Sequence, residues 1–438
     1  MASIDYTVRG GGPLAGTVTV AGDKSISHRA VILSALAEGR SEIAGLLEGE
    51  DVLGTVAAFR ALGVTIDGPR DGRLTVDGVG LHGLKAPVGA LDLGNSGTSM
   101  RLLAGLMAAQ PFGTRLVGDE SLMRRPMERV AAPLRLMGAV IETGEGGRPP
   151  LHIVGGRGLH AIEYRMPMAS AQVKSAILLA ALYARGRTVV IEPAPSRDHS
   201  ERMLAGFGYP VHRDGATITI EGGAGPLHPV QLDVPADLSS AAFFLVAASI
   251  VPGSCLRLPR VGMNPTRRGV IDILRAMGAH IEAENETVAG GEPVADLVVR
   301  SAPLRGIAIP RELVPLAIDE FPALFIAAAC AQGTTTVRGA EELRVKESDR
   351  LAVMARGLAA LGVAVEEYPD GLAIRGTPLK GGVIESGGDH RVAMAFAVAG
   401  LKAADAVLVR DCRNVATSFP GFVACAKAVG FDLEVNAS

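Results

Sequence analysis

The sequence has no tryptophan, and only 4 % of its 438 residues are aromatic. Its four cysteines, Cys255, Cys330, Cys412 and Cys425, form neither a CxxC pair nor a Cys/His spacing suited to a metal. That spacing argues against a disulfide framework or a zinc site and points to a reduced compartment. Cys330 falls in an apolar run and reads as a core residue. An excess of one charge is also lacking. The formal net charge of -3 gives no support to non-specific binding of nucleic acid or a membrane surface. The longest charge-free apolar stretch, around Ala241–Cys255, is interrupted by Pro252-Gly253 and falls short of the ~20 residues that span a bilayer. No basic-then-apolar leader pattern opens the chain, so a cytoplasmic location is expected. There is no Walker loop, and Gly10-Gly11-Gly12 lacks the strand–helix context of a phosphate loop. Neither a metal nor an organic cofactor is expected.

What the sequence does have is glycine, alanine and a repeat. The length allows two or three domains with large cores. Leu62-Gly63 ends an apolar helical pattern and precedes a strand-like run, and the same ending recurs at Met137-Gly138, Phe207-Gly208, Met277-Gly278, Leu361-Gly362 and Val429-Gly430. A glycine there supplies the left-handed residue of a helix C-cap. Each of the six copies also holds an earlier Ala/Leu-rich segment with a polar start, beginning near Lys24, Asn95, Ser170, Asp237, Asp319 and Asp389. Beyond the first turn these segments are apolar on nearly every face, which predicts buried helices. Short strand-like runs such as Leu74-Thr75-Val76 and Ala216-Thr217-Ile218-Thr219-Ile220 lie between them. The unit reads as βαβαβ used six times, three units to a domain. The boundary is expected near Val234–Asp237, giving domains 21–235 and 236–438, and Tyr6–Val20 is open to pairing with either. With residues 1–20 assigned to the second domain, the fold class is α/β with two similar domains.

The helix starts carry a pattern of their own. Lys24, Ser25, His28 and Arg29 stand in the first unit, then Asn95, Ser96, Gly97, Thr98, Arg124 and Arg125 in the second. Ser170, Gln172 and Lys174 open the third, with Ser196, Arg197 and His199 before its next helix. Asn264, Thr266 and Arg267 follow in the fourth, Asp319 and Glu320 in the fifth, and Asp389, His390 and Arg391 in the sixth. Free backbone N–H groups and the positive dipole end favour anions at such places, and Arg suits phosphate or carboxylate. His28, His199 and His390 suit structural hydrogen bonding as well as proton carriage.

The densest charge run is Glu342–Arg350, just before Leu351, Met354, Leu358 and Leu361, which share one helical face. The spacing places the charges in the first turn of that helix. Lys346 and Arg350 would then be like charges at i, i+4, opposing the macrodipole, which suggests an anion between them. Asp319 is open to two readings, an N-cap or a general base. With Glu347 as an acid it would suit transfer chemistry on a polyanion without a metal.

At this point motifs are visible that resemble the 5-enolpyruvylshikimate-3-phosphate synthase family. They are Gly22–Arg29 (GDKSISHR), Gly94–Thr98 (GNSGT), Arg125-Pro126-Met127, Ser170–Lys174 (SAQVK), Arg344–Arg350 (RVKESDR), Asp389-His390-Arg391 and Ser418-Phe419-Pro420, in order along the chain. The resemblance implies two domains of three βαβαββ repeats each, an inside-out α/β barrel of the enolpyruvyl transferase-like kind, closing on substrate. It implies transfer of the enolpyruvyl group of phosphoenolpyruvate to the 5-hydroxyl of shikimate 3-phosphate with release of phosphate, a step of the shikimate pathway. Partners would be these small molecules, with no nucleic acid or membrane, and the chain is expected to be a monomer. Carried over by motif, Lys24, Ser25, Arg29, Ser170, Ala171, Gln172, Arg197, Asp319 and Lys346 would hold shikimate 3-phosphate. Lys24, Asn95, Gly97, Arg125, Gln172, Arg350 and Arg391 would hold phosphoenolpyruvate. Asp319, Glu347 and Lys24 would be catalytic. Lys346 and Arg350 would meet different substrates, with Glu347 between them.

Where many family members have Lys before Phe-Pro, this chain has Thr417. With Arg197–Glu201 (RDHSE) and Asn264–Arg267 (NPTR) it looks like the class II subgroup, known for glyphosate tolerance, although Gly97 is retained; partial tolerance is expected. The alternative enzyme reading is a UDP-N-acetylglucosamine enolpyruvyl transferase, which typically has a Cys on a loop in the second unit, whereas Gly113–Arg129 has none. A non-catalytic anion-binding protein is the other rival. Asp319 and Glu347 argue against it, because carboxylates weaken a site that only binds anions.

Overall fold

The computed structural model describes residues 4–437. Six helices open the six repeats, and they are called α1 (Lys24–Leu36), α2 (Gly97–Met107), α3 (Ala171–Ala181), α4 (Leu238–Ile250), α5 (Phe321–Cys330) and α6 (His390–Gly400). With apolar side chains almost all round, such helices have no face to offer water. All of α4 is buried, as is α1 from Ile26 onward. Their N-caps follow the sequence with one-residue differences. Ser170, Asp237 and Asp389 cap α3, α4 and α6, whereas Asp23 caps α1 and Ser96, not Asn95, caps α2. The second helix of each repeat ends on the expected glycine in the left-handed region: φ is +87° at Gly63, +98° at Gly138, +83° at Gly208, +99° at Gly278, +83° at Gly362 and +105° at Gly430.

Among the described residues the strands form six small sheets on one scheme. In the first, Gln231–Asp233 runs parallel to Glu38–Ala44, which pairs antiparallel with Arg73–Val79, which in turn pairs antiparallel with Thr65–Arg70. The same parallel–antiparallel–antiparallel order recurs elsewhere. In the fifth sheet its parallel edge is reduced to the bridges Arg305↔Gln332 and Ala308↔Thr336. Among the described residues, three strands are supplied from outside their own repeat. Ala15–Thr17 lies parallel to Cys255–Gly262 of the fourth repeat, and Gln231–Asp233, just before the fourth helix, serves the first. The N-terminal strand Ile4–Arg9 completes the sixth sheet between Val407–Arg410 and Asp432–Ala437.

By contacts the chain divides into two compact units. One contains Gly22–Val234 and the short piece Ala289–Glu292, and the other contains the segment ending at Ala21, Pro235–Val288 and the chain from Pro293. The expected bounds differ by a residue at each crossing and omit the short piece, which is the turn of the hairpin formed by His280–Ala289 and Glu292–Arg300. Within the first unit, α2 and α3 approach closely at Gly105, where a Cβ would stand 2.1 Å from the Ala176 carbonyl oxygen. Any larger residue would force the helices apart. In the other unit the scarce aromatics gather at one place: Phe422 lies within 6.5 Å, ring to ring, of Tyr6, Phe243, Phe244, Phe419 and Phe431. No described helix is long and apolar enough to cross a membrane.

Candidate active site

In the unit built on Gly22–Val234, the starts of α1, α2 and α3 carry most of the expected residues. Asp23 accepts from the Ile26 amide at 2.9 Å, which sets the first turn of α1 and places Lys24 and Ser25 at its tip. Lys24 pairs with Asp51 of the helix Glu50–Ala61. One turn on, Arg29 is buried and donates to Ser200 Oγ and Ser175 Oγ, each at 2.7 Å, and to the Ser25 carbonyl at 2.8 Å. Burial pushes its guanidinium down to about 10, against the pull of Glu201 and Asp23. His28 is fully buried, and its Nδ1 lies 2.8 Å from Thr55 Oγ1. Burial, then the neighbouring Lys24 and Arg29, hold its pKa well below the ordinary 6.5. Its contact with Thr55 fits the structural hydrogen-bonding reading.

At the head of α2, Arg125 donates to Asn95 Oδ1 at 2.5 Å and to Ser121 Oγ at 3.3 Å. Gly97 faces two guanidinium groups, for a Cβ there would stand 3.1 Å from both Arg101 Nη1 and Arg125 Nη1. Arg101 also donates to Gln172 Oε1, while Gln172 Nε2 donates to Thr98 Oγ1 at 3.0 Å. Arg101 is therefore a member of this cluster that sequence reasoning passed over. Its signal was a single cation four residues after Gly97 in an otherwise apolar helix. Ser170 caps α3 through the Val173 amide, putting Ala171 and Gln172 in the first turn. Lys174 does not join this set. It is wholly buried and paired with Glu192 and Glu201, so it offers nothing to an outside anion. Arg197 and Ser196 lie in the connection before the helix His199–Gly206.

The other unit holds Asp319, Lys346, Glu347, Arg350 and Arg391, and here the sequence-based picture needs correction. The charge run is not one helical turn. Glu341–Val345 form a 3₁₀ turn, and the α-helix begins only at Arg350 and runs to Ala360, capped by Asp349 through the Ala352 amide at 3.0 Å. The expected i, i+4 repulsion between Lys346 and Arg350 therefore does not arise within a helix. Nor is Asp319 a cap: the capping position of α5 is Glu320, with no side-chain bond to the helix. Asp319 Oδ1 instead lies 3.3 Å from Lys346 Nζ and 3.4 Å from Arg350 Nη1, so Asp319 is a carboxylate both cations reach.

Arg350 is 1 % exposed and is ringed by acids. Its Nε donates to Asp389 Oδ2 at 2.8 Å, its Nη2 to Asp389 Oδ1 at 3.3 Å and to Glu347 Oε2. Burial would lower its pKa, but Asp389, Glu347 and Asp319 outweigh that and raise it. Asp389 answers in kind. Burial alone would push its carboxyl up, yet Arg350 holds it below the usual carboxylate range. It also caps α6 through the Arg391 amide at 2.9 Å and accepts from Ser348 Oγ at 3.1 Å. Arg391 donates to the Asp319 carbonyl at 2.9 Å, so the two share a fixed spacing. Thr417 closes its own hydroxyl on the Asn414 carbonyl at 2.7 Å. Among the described residues no group of three His, Cys, Asp or Glu is placed to hold a metal ion.

Chemically, the two clusters supply helix-end amides, forked guanidiniums and ammonium groups suited to phosphate and carboxylate. Carboxylates able to move protons stand beside them.

A family model for EPSP synthase (3-phosphoshikimate 1-carboxyvinyltransferase) matches residues 8–425. A 3-phosphoshikimate 1-carboxyvinyltransferase of Alkalilimnicola ehrlichii is 64 % identical over 98 % of this chain and 96 % of its own length. A solved EPSP synthase structure from Acinetobacter baumannii superposes with a TM-score of 0.89 at 53 % identity, over 99 % of this chain and all of that one. The enolpyruvyl transferase NikO of Streptomyces tendae, at 20 % identity and a TM-score of 0.81 over the whole of both chains, shares the fold.

Proposed function

We propose, from the premise that the chain belongs to the EPSP synthase family, that it transfers the enolpyruvyl group of phosphoenolpyruvate to the 5-hydroxyl of shikimate 3-phosphate. Phosphate is released. The two substrates carry two phosphates and two carboxylates, whose mutual repulsion needs several cations to offset it. Lys24, Ser25, Arg29, Ser170, Ala171, Gln172 and Arg197 serve shikimate 3-phosphate, with Asp319 and Lys346 at its ring hydroxyls. Lys24, Asn95, Gly97, Arg125, Gln172, Arg350 and Arg391 serve phosphoenolpyruvate.

In the addition step the 5-hydroxyl oxygen bonds to C2 of phosphoenolpyruvate while C3 gains a proton and becomes a methyl group. The hydroxyl proton passes to a base. In the elimination step C3 returns a proton and the C2–O bond to phosphate breaks. Asp319, within ion-pair distance of Lys346 and Arg350, is assigned the base. Glu347 is the acid at C3, and Lys24 assists.

The observation that carries this reading is the placing of Asp319 3.3 Å from Lys346 and 3.4 Å from Arg350. A site that only bound anions would gain nothing from that carboxylate. The test is phosphate release from phosphoenolpyruvate with each acceptor in turn. Release with shikimate 3-phosphate and none with UDP-N-acetylglucosamine is expected; the reverse would overturn the assignment. The reaction is that of the shikimate pathway, and a monomeric cytoplasmic enzyme is part of the same proposal.

Thr417 supports a second expectation. Threonine is uncharged, so it does not supply the cation that many relatives have there, and its hydroxyl donates to the Asn414 carbonyl. Glyphosate, competing with phosphoenolpyruvate, is expected to inhibit less strongly than in an enzyme with Lys at that position. The Thr417→Lys variant should be the more sensitive. Equal inhibition constants for the two proteins would refute this.

A further inference from the structure

We propose that Lys174 is a positioning residue for the connection that carries Arg197, assigned to shikimate 3-phosphate, an inference that rests on the function just proposed. Its sequence position, two residues after Gln172 at the head of α3, suggested a cation offered to substrate. The structure puts it to another use. Lys174 is fully buried, and its Nζ lies 2.7 Å from Glu201 Oε1, 3.1 Å from Glu192 Oε1 and 3.4 Å from the Ser196 carbonyl oxygen. An ammonium group has three protons, and three acceptors take them up.

These acceptors come from one stretch of chain. Glu192 follows the strand Arg187–Ile191, Ser196 is in the middle, and Glu201 is in the first turn of the helix His199–Gly206. A single side chain therefore fastens both ends and the centre of the connection 192–201. Ser196 Oγ also donates to Glu192. The remaining charge is met by Arg213, whose Nη2 lies 3.1 Å from Glu192 Oε2 and whose Nη1 lies 3.2 Å from Glu201 Oε1. Two carboxylates face two cations. Apolar residues of similar volume would serve stability as well or better in such a place. What ion pairs and directed hydrogen bonds add is a fixed geometry for the backbone that carries them.

That backbone carries Arg197, assigned above to shikimate 3-phosphate. It also carries Ser200, whose hydroxyl receives Arg29 Nε at 2.7 Å and lies 2.6 Å from Ser175 Oγ on α3. Lys174, through Glu201, thus governs where two arginines present themselves, without touching substrate. Neither arginine serves phosphoenolpyruvate, so the effect falls on one substrate.

The test is steady-state kinetics with both substrates, calorimetric titration with shikimate 3-phosphate, and thermal melting. Two variants are compared, Lys174→Met and the charge-balanced double variant Lys174→Met/Glu201→Gln. The single variant leaves two carboxylates with one cation and is expected to melt well below the parent. The double variant keeps Glu192 opposite Arg213 and is expected to stay folded. In it, KM and Kd for shikimate 3-phosphate should rise about tenfold while KM for phosphoenolpyruvate stays within about twofold. Native constants for both substrates in the folded double variant would overturn the proposal, as would equal losses for both. Failure of the parent protein to release phosphate from this substrate pair would instead overturn the proposed function.

Discussion

Arg350→Met is expected to destabilise the protein by about 3–5 kcal/mol, the range for breaking a buried ion pair by removing one partner. From the motif alone, loss of Arg350 reads as a defect in phosphoenolpyruvate binding. The structure makes it a folding defect as well. Arg350 is 1 % exposed, and its partner Asp389 is wholly buried. Without the guanidinium, Asp389 is a buried charge with its counter-ion gone. The effect should depend on pH with a definite sign. In the parent, Arg350 holds the Asp389 pKa below the model-compound value of 3.8 despite burial. Its contribution to stability is therefore complete above about pH 4 and is lost as pH falls through the depressed folded value. In the variant, burial acts without Arg350 and raises the folded pKa above the unfolded one. Protonated Asp389 is then favoured in the native state, and the variant loses stability as pH rises from about 4. Urea midpoints at pH 5 and pH 7.5 check this: the gap between variant and parent should be narrower at pH 5. A pH-independent gap would show that lost packing, not the stranded charge, is responsible.

Asp319→Asn and Glu347→Gln are expected to lower kcat by about 10²–10⁴-fold each, the span for removing a positioned acid or base. Both changes keep shape and hydrogen-bonding capacity, so each KM should move far less than kcat. The two should nonetheless be distinguishable. Asp319 lies against Lys346 and Arg350, and removing its charge leaves both cations less neutralised; binding of the anionic substrates should hold or tighten. Glu347 pairs with Arg350, which keeps its bonds to Asp389, so its loss should leave binding nearly as it was. If either variant raised both KM values tenfold and spared kcat, that residue would be a binding group and not a proton carrier.

These expectations differ from those available from the chain alone in instructive places. The repeat was legible because a left-handed residue is a backbone requirement, and glycine at Gly63, Gly138, Gly208, Gly278, Gly362 and Gly430 announces it without any tertiary information. The six apolar helices were legible for a similar reason, since a helix with no polar face has only one environment open to it. Cap positions were blurred where neighbouring residues are equally good caps, as with Asn95 and Ser96. The charge run misled more seriously. Apolar spacing from Leu351 onward marks a helix but cannot mark its first residue, and Asp349, a competent cap within the run, was the missed signal. Lys174 and Arg101 show the same limit at the site. One cation on a buried helix reads alike whether its partner is a substrate, a carboxylate or a neighbouring glutamine, and only the fold decides. Asp319 was open between cap and base because sequence adjacency to a helix does not say where a side chain turns.

The sheet completed by the N-terminal strand has a consequence for the order of events during synthesis. Ile4 lies opposite Ala437 and Arg9 opposite Asp432, so the first and last of the described strands are ladder partners. The unit built on Gly22–Val234 has nearly all its strands and helices once the ribosome has passed its midpoint. The other must leave an early strand without its neighbours through the translation of more than 400 residues. Domains fold as units while the nascent chain emerges. Here a strand synthesised early is among the last to find its place, and its unpaired edge is what a holding chaperone would meet.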